Sequence, residues 1–482
     1  MSKNKITKNY IYNLIYQILL VISPLITMPF LSRSLGVVGI GEYSYAYSIV
    51  SYFVIFATFG FDVYGRREIS FYIDDKSKLA QKFWSIQIIK TIFTLFTVIV
   101  YLIFCKFNSN ETILLLLIFH LLNVPLNIGW FYQGIEEFKK ITIRGFFLKL
   151  IDLLFVILFI HKPEDLYLYT LGSSMIAFIT FAVLWFDLGK YVSKSKIDFS
   201  QIKYDLKNGS IFFLPAIATS IYTLLDKTML GNITGSFIEN GYYEQAQKIN
   251  IVLLKVVLAL GVVLLPQIVA AHKKNENEKV KEFIEKSSTY VFCVSIAMAF
   301  GLMCISDSFV PWFFGSDFAK VSILLKLSGF ILIFQGLDDV FGMQYLVSVG
   351  KQKIYVISLF IGAGINFILN IFLIKYYSSV GAIIASFIGE ISIVIFQMLF
   401  IRKNLDLKKI FKNSIKYFCA GLCMYLCCYL TTSNLPNNYF TSIIIFIECV
   451  LVYFVMLIIL KDELVLDSIK KINLYLKKVI KS

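Results

Sequence analysis

The sequence predicts an all-α integral membrane protein of about fourteen transmembrane helices, arranged as two six-helix lobes around a central cleft with two extra C-terminal helices. Three observations carry that expectation. The 482 residues are 58% hydrophobic and 16% charged, with a mean hydropathy of +0.75, whereas a soluble chain covers its surface with about a quarter charged residues. The charges are swept into short clusters separated by apolar stretches of about 18 to 25 residues, the length that crosses a ~30 Å hydrocarbon core as a helix. Finally, the basic residues alternate from one side to the other as an even number of spans requires.

In chain order the spans are expected near 10–32, 42–64, 83–105, 112–134, 145–161, 165–187, 208–231, 243–270, 287–309, 322–347, 354–375, 379–401, 414–432 and 440–460. Runs such as "ETILLLLIFHLL" and "SIIIFIECVLVYFVMLIIL" lack the ten-residue alternation of a barrel strand. Most of the 46 Lys and Arg fall in the two termini and the loops on their side, so both termini are expected in the cytoplasm of a cytoplasmic (inner) membrane protein. The net charge of +15 then reads as topology and attraction to anionic lipid, not nucleic-acid binding. The apolar run after "MSKNKITKNY" is span length without a small-residue cleavage site, so the first helix is expected to stay. The tail "DSIKKINLYLKKVIKS" has the pattern of a basic amphipathic helix on the inner leaflet.

An internal repeat sets the domain organisation. Gly41, Tyr43 and Ala46 form a G-x-Y-x-x-A pattern that returns at Gly241, Tyr243 and Ala246, and "SLG" ending at Gly36 is echoed by "MLG" ending at Gly231. A weaker echo pairs "FYQGIEEFKKI" (131–141) with "QYLVSVGKQKI" (344–354). Span one thus stands opposite seven and four opposite ten. The expected division is an N-terminal lobe over 1–200, a C-terminal lobe over 201–403, and the last two spans with the basic tail over 404–482. A shift by six spans keeps the same orientation, which relates the lobes by an axis along the membrane normal.

Ionisable groups inside spans cost roughly 2.5–3.5 kcal/mol each, so those retained face protein or a watery cavity. Arg33 near the outer end of span one, Lys227 in span seven, and Lys248 and Lys255 seven apart on one face of span eight are the candidate cationic lining of a binding cleft. Asp226 neighbours Lys227 and neutralises it or serves the cleft. Asp62 and Arg66 close span two beside Arg67 and Glu68, while Gln335, Asp338 and Asp339 interrupt span ten; these are the candidate ion-coupling or gating groups. Pro24, Pro29, Pro125, Pro215 and Pro266 suit helices that bend. Asn366, Asn370, Glu390 and Glu448 read as glue between helices, and the tyrosines at 43, 45, 47 and 52 as an interfacial belt or a stacking surface for sugars.

Several classes are disfavoured. Nothing matches the phosphate loop G-x-x-x-x-G-K-[ST], and no stretch is long enough for a nucleotide-binding domain. Cys419, Cys423, Cys427 and Cys428 share a helix without a histidine, which favours small buried hydrophobes over a metal site. His120, His161 and His272 are scattered, so no catalytic set is expected, and neither a cofactor nor a metal.

Residues 23–70, with Pro24, Pro29, Arg33, Leu35-Gly36, Gly41, Tyr43, Phe59-Gly60, Arg66 and Glu68, together with Tyr132-Gln133-Gly134 in "WFYQGIEEFKKI", resemble the polysaccharide transporter family. That family comprises the O-antigen and capsular repeat-unit flippases of the multidrug/oligosaccharidyl-lipid/polysaccharide exporter superfamily. The resemblance implies an alternating-access transporter that moves an undecaprenyl-diphosphate-linked oligosaccharide from the inner to the outer leaflet, driven by an H⁺ or Na⁺ gradient, in contact with membrane lipids and the repeat-unit polymerase. It implies that Arg33 helps hold an anionic diphosphate or acidic sugar. Thr228 stands in the second lobe where the first has Arg33, a departure from symmetry. The rival readings are a cation-coupled multidrug antiporter, a peptidoglycan-precursor flippase and, further off, a membrane-embedded polymerase or acyltransferase.

Overall fold

The computed structural model describes residues 3–195, 198–432 and 435–466, with side chains at 3–21, 214–216, 218–223 and 432 outside the described set. The expected amphipathic tail (467–482), the basic start of the chain and the Pro215 side chain therefore lie outside the described residues. The chain is 87% helical, with no strand among the described residues.

Its helices are α1 (Lys3–Thr58), α2 (Phe61–Phe71), α3 (Lys76–Lys106), α4 (Glu111–Leu116), α5 (Ile118–Leu126), α6 (Gly129–Gly134), α7 (Phe138–Phe159), α8 (Leu166–Ala182), α9 (Phe199–Gly209), α10 (Phe213–Thr234), α11 (Phe237–Val257), α12 (Ala259–Lys273), α13 (Asn277–Phe313), α14 (Lys320–Ser328), α15 (Ile331–Asp338), α16 (Gln352–Ile401), α17 (Leu407–Thr432) and α18 (Tyr439–Ile459). A π-helical stretch, Asp339–Val347, follows α15.

Among the described residues nine helical runs are long and apolar enough to cross a membrane, or ten if α11 and α12, bent by 44° at their junction, form one span. The expected count of fourteen is not reached by length and hydropathy alone. Two of the nine runs, Ile22–Phe71 and Gln352–Ile401, hold 50 residues each. At 1.5 Å per residue that is roughly 75 Å of helix, more than twice the hydrocarbon thickness. Each bends where the backbone turns left-handed, at Gly36 (φ 67°) and Ser378 (φ 53°). The first kink sits in the joint "SRSLGVVGIG", where glycine meets a positive φ without a Cβ penalty. In contrast, α7 covers the expected fifth span and carries Lys139, Lys140, Arg144, Lys149 and Asp152, too many charges for a plain apolar crossing.

The chain forms two compact units, Met1–Glu244 and Gln245–Ser482. In the first, α1 packs against α3, α5, α7 and α10. Its aromatic core includes the fully buried Phe61, Tyr64, Phe83, Phe131 and Tyr132, with Phe83 stacked on Trp130 at 5.6 Å between centroids. Such rings bury large apolar areas and set helix spacing by their geometry. In the second unit α13 is the hub, contacted by α12, α14, α15, α17 and α18, around a core that includes Phe292, Phe300, Phe341, Tyr417 and Leu457.

The end of α18 is tied to α17 by one carboxylate. Asp462, fully buried, pairs with Lys416, accepts the Tyr417 hydroxyl at 2.7 Å and accepts the Val465 amide at 3.1 Å. Burial pushes its pKa up, but the Lys416, Tyr417 and Val465 hydrogen bonds outweigh that and hold it below the ordinary 3.8. A depressed carboxylate stabilises the fold above its unfolded pKa and loses that contribution as pH falls through the folded value. Asp462→Asn is therefore expected to cost about 2 kcal/mol near neutral pH, and the gap from the native chain should close below pH 3.8. Thermal unfolding of the purified protein across pH 3–7 measures it; a gap that does not narrow toward the acid end refutes the carboxylate's role.

Candidate functional site

The echoed joints meet. A Cβ on Gly41 would strike the Phe237 carbonyl and come within 2.8 Å of the Gly241 nitrogen, and a Cβ on Gly241 would strike the Val37 carbonyl. Residue 37 faces 241 and residue 41 faces 237, a reciprocal pattern like that of a two-fold interface. Only glycines allow the two helices this approach. The contact is extended by the Ser44 hydroxyl on Glu244 Oε2 (2.7 Å), the Tyr45 hydroxyl on Asn232 Oδ1 (2.6 Å) and the Tyr52 and Thr228 hydroxyls at 3.0 Å. Gly235 (φ 61°) ends α10 in the left-handed region, while Gly231 packs against the Tyr45 ring.

The cationic candidates fall as follows. Arg33 is exposed on α1, three residues before the kink; Lys248 and Lys255 are half-buried on α11. Lys227 Nζ lies 2.7 Å from Glu244 Oε2, and its carbonyl accepts the Asn240 amide at 2.7 Å. Asp226, 2% exposed, instead accepts the Tyr243 hydroxyl. Adjacent residues on a helix point about 100° apart, so Asp226 and Lys227 are each served by the opposing helix α11. Glu244 was not singled out by sequence reasoning, although its place three residues beyond Gly241 marks the crossing.

Of the acidic and gating candidates in the first unit, Asp62 is ion-paired at 2.6 Å to Lys90, whose side chain is fully buried and also donates to the Asn127 carbonyl at 3.1 Å. Arg66 is exposed and donates to Gln133 Oε1 at 3.3 Å. The densest network lies nearby and sequence reasoning missed it. The fully buried Asp205 on α9 accepts from Tyr64 (2.7 Å), Lys82 (2.6 Å), Ser85 (2.7 Å) and Gln201 (2.9 Å). Lys82 also lies 3.2 Å from Glu68.

In the second unit Gln335 donates to Glu390 at 3.1 Å, and Glu390 is 4% exposed. Gln397 donates to Asp338 at 2.6 Å and Gln344 to Asp339 at 2.7 Å. Both aspartates therefore sit at the junction of α15 with the π-helical stretch, a local irregularity common at functional sites. Asn366 donates to Ser386 at 3.3 Å across the bend of α16 at Ser378, and Asn370 donates to Asn366 at 3.1 Å one turn away on the same segment. Three thiols, Cys304, Cys428 and Cys449, converge from α13, α17 and α18 to within 4.8 Å of one another; only Cys428 belongs to the quartet that the sequence singled out.

Three cavities accompany these groups. In the first unit one of about 590 Å³ is lined by Arg66, Arg67, Ser70, Gln133 and Glu136 among others, and one of about 350 Å³ by Tyr47, Ser51, Asp62, His120, Asn123 and Asn127 among others. In the second unit a cavity of about 450 Å³ is walled almost wholly by apolar side chains of α13 and α18, including Ile305, Phe446, Val450 and Phe454.

Apolar spans, kinked fifty-residue runs and buried ion pairs define a multi-pass membrane protein that is helical throughout the described regular structure. The chain belongs to the polysaccharide biosynthesis protein family, whose model matches residues 6–272. The lipid II flippase MurJ model matches residues 242–451. A relative from Escherichia coli (strain K12), named as a candidate O-antigen transporter, is 22% identical over 415 residues, 84% of this chain and 99% of the relative. Among solved structures, a lipid II flippase MurJ in an inward closed conformation superposes with a TM-score of 0.77 at 18% identity, covering 95% of this chain and all of that one. An inward-facing multidrug resistance MATE family transporter superposes at 0.60 with 14% identity over 86% and 96% of the two chains. At those identities the likeness is one of fold.

Proposed function

We propose that this protein is a flippase that moves undecaprenyl-diphosphate-linked oligosaccharide repeat units from the inner to the outer leaflet of the cytoplasmic membrane by alternating access. The observation that carries the reading is that one chain offers both kinds of cavity such a substrate needs. The apolar cavity beside α13 and α18 suits an isoprenoid chain, and the polar and arginine-lined cavities of the first unit suit a charged, hydroxyl-rich head. A lipid-linked sugar has to keep its tail in oil while its head crosses, and Arg and Lys compensate the diphosphate through charge-assisted hydrogen bonds. In this reading Arg33, Lys227, Lys248 and Lys255 line the path, and both termini are cytoplasmic. The repeat divides the chain into lobes over 1–200 and 201–403 with 404–482 appended, and the reciprocal crossing of Gly41 and Gly241 supports it. Asp338 and Asp339, with Asp62, Asp226, Arg66 and Gln335, are the groups through which an H⁺ or Na⁺ gradient is coupled.

A cation-coupled multidrug antiporter shares the fold, and the paired Asp338 and Asp339 are the feature that favours it. The two part on cargo. Deletion of the gene is expected to leave lipid-linked repeat units on the cytoplasmic face, and Arg33→Ala or Lys255→Ala to lower delivery about tenfold at normal protein level, the loss of one charge-assisted contact. Normal delivery in the deletion strain rejects the flippase reading; normal delivery in both variants rejects the cationic path alone.

A further inference from the structure

Three thiols meet in the second unit where α13, α17 and α18 pack together. The sulfurs of Cys304, Cys428 and Cys449 all lie within 4.8 Å of one another, and those of Cys428 and Cys449 are 3.4 Å apart. None of the three is in a disulfide. The sequence alone favours no metal here, because Cys428 shares its helix with Cys419, Cys423 and Cys427. The fold breaks that quartet up: Cys419 and Cys427 are exposed, while Cys428 is 1% exposed and meets one thiol from each of two other helices.

The donor set narrows the ligand. Three sulfurs in a plane around one ion, each at about 2.3 Å as for a thiolate-bound d10 ion, stand about 4.0 Å apart, between the 3.4 Å pair and the 4.8 Å limit. Among the described residues no His, Asp or Glu joins the group. That leaves no oxygen for calcium or magnesium and no fourth side chain for a structural zinc site, whereas soft sulfur donors select copper(I). The approach is furnished the same way. The apolar cavity of about 450 Å³ is lined by Cys449 together with Cys293, Met298 and Met424, and by no Asp, Glu, Lys, Arg or His. Met424 stands one turn before Cys428 on α17, on the same face.

We propose that Cys304, Cys428 and Cys449 form a three-coordinate site for copper(I), which clips α17 and α18 to the hub helix α13. The ion forms three Cu–S bonds, one thiol loses its proton to solvent, and the oxidation state of the copper does not change. One thiolate and two neutral thiols then balance the single positive charge. The site stays neutral, which its apolar setting requires. The inference stands apart from the flippase reading and holds for any cargo.

The test titrates the purified, reduced, full-length protein in detergent with copper(I) held by a competing chelator. The native chain is expected to take up one ion per chain and to unfold at a higher temperature with it, since an ion that binds only the folded state stabilises that state. Cys304→Ala, Cys428→Ala and Cys449→Ala should each weaken binding about 100-fold or more, beyond the roughly 10–100-fold that losing a mere supporting partner costs, and should abolish the temperature rise. Silver(I), a redox-inert ion of the same charge, should reproduce both readouts, which separates binding from oxidation of the thiols. The triple variant Cys419→Ala, Cys423→Ala, Cys427→Ala should bind as the native chain does. Cys304 is half-buried, so Cys304→Ala is the variant expected to fold unchanged and decides the matter where the other two do not fold. No uptake by the native chain, native affinity in Cys304→Ala, or a Cys428–Cys449 disulfide in place of the bound ion each overturns the proposal.

Discussion

Asp205→Ala is expected to remove about 3–5 kcal/mol of stability, the cost of breaking a buried ion pair from one side, out of the 5–15 kcal/mol that a folded chain commonly has. The carboxylate is wholly enclosed and holds four donors from three other places in the chain: Tyr64 on α2, Lys82 and Ser85 on α3, and Gln201 one turn before it on α9. Removing it leaves the Lys82 ammonium, with a side chain 6% exposed, to Glu68 at 3.2 Å and to the faces of Tyr72 and Tyr204. Two hydroxyls and an amide lose their acceptor at the same time. Asp205→Asn should be milder, since it keeps one acceptor oxygen but turns a second donor toward Ser85 and Gln201. The double variant Asp205→Ala with Lys82→Met should recover part of the loss, because no uncompensated charge remains. Thermal unfolding of purified protein in one detergent ranks the four proteins; a double variant less stable than Asp205→Ala contradicts the account.

The second large effect is an asymmetry at Asp62 and Lys90. Asp62→Asn strands a fully buried ammonium, whereas Lys90→Met strands a carboxylate whose side chain is 37% exposed and still reaches water. The first is expected to cost about 3–5 kcal/mol and the second about half as much, with the double change close to the native chain. The cycle isolates the pair because the two residues touch directly. Equal losses for the two single changes would mean that Lys90 is held by the Asn127 carbonyl and the Trp130 ring rather than by Asp62.

How far these features could be read from the sequence follows from the distance between partners. Membrane class was legible because composition and the placement of Lys and Arg are summed over the whole chain. The glycines of the Gly41 and Gly241 crossing stood out because the G-x-Y-x-x-A pattern returns at a fixed offset of 200 residues, although the pattern did not say that the two would touch. The number of crossings was less legible, since kinked and charged helices such as α7 blur the apolar signal. Lys90 was invisible inside "SIQIIKTIFTLF" because Asp62, 28 residues earlier, is on another helix and no i+4 partner betrays it. Asp205 and Lys82 are 123 residues apart. His120 looked scattered for the same reason: its cavity neighbours at 47, 51 and 62 come together with it only once α1, α2 and α5 pack. By contrast, Asp226 and Lys227 looked like a self-cancelling pair, and the pitch of α10 sends them to different neighbours on α11.

The compact first unit runs to residue 244, well past the expected lobe boundary near 200. Helix α10 and the start of α11 therefore pack as part of it, against α1. A fragment that stops at the repeat boundary would carry an open glycine groove on α1 with nothing seated in it, while one that continues through 213–244 would bring its own plug. Splitting this polypeptide for co-expression thus has one sensible seam, and it is set by the crossing.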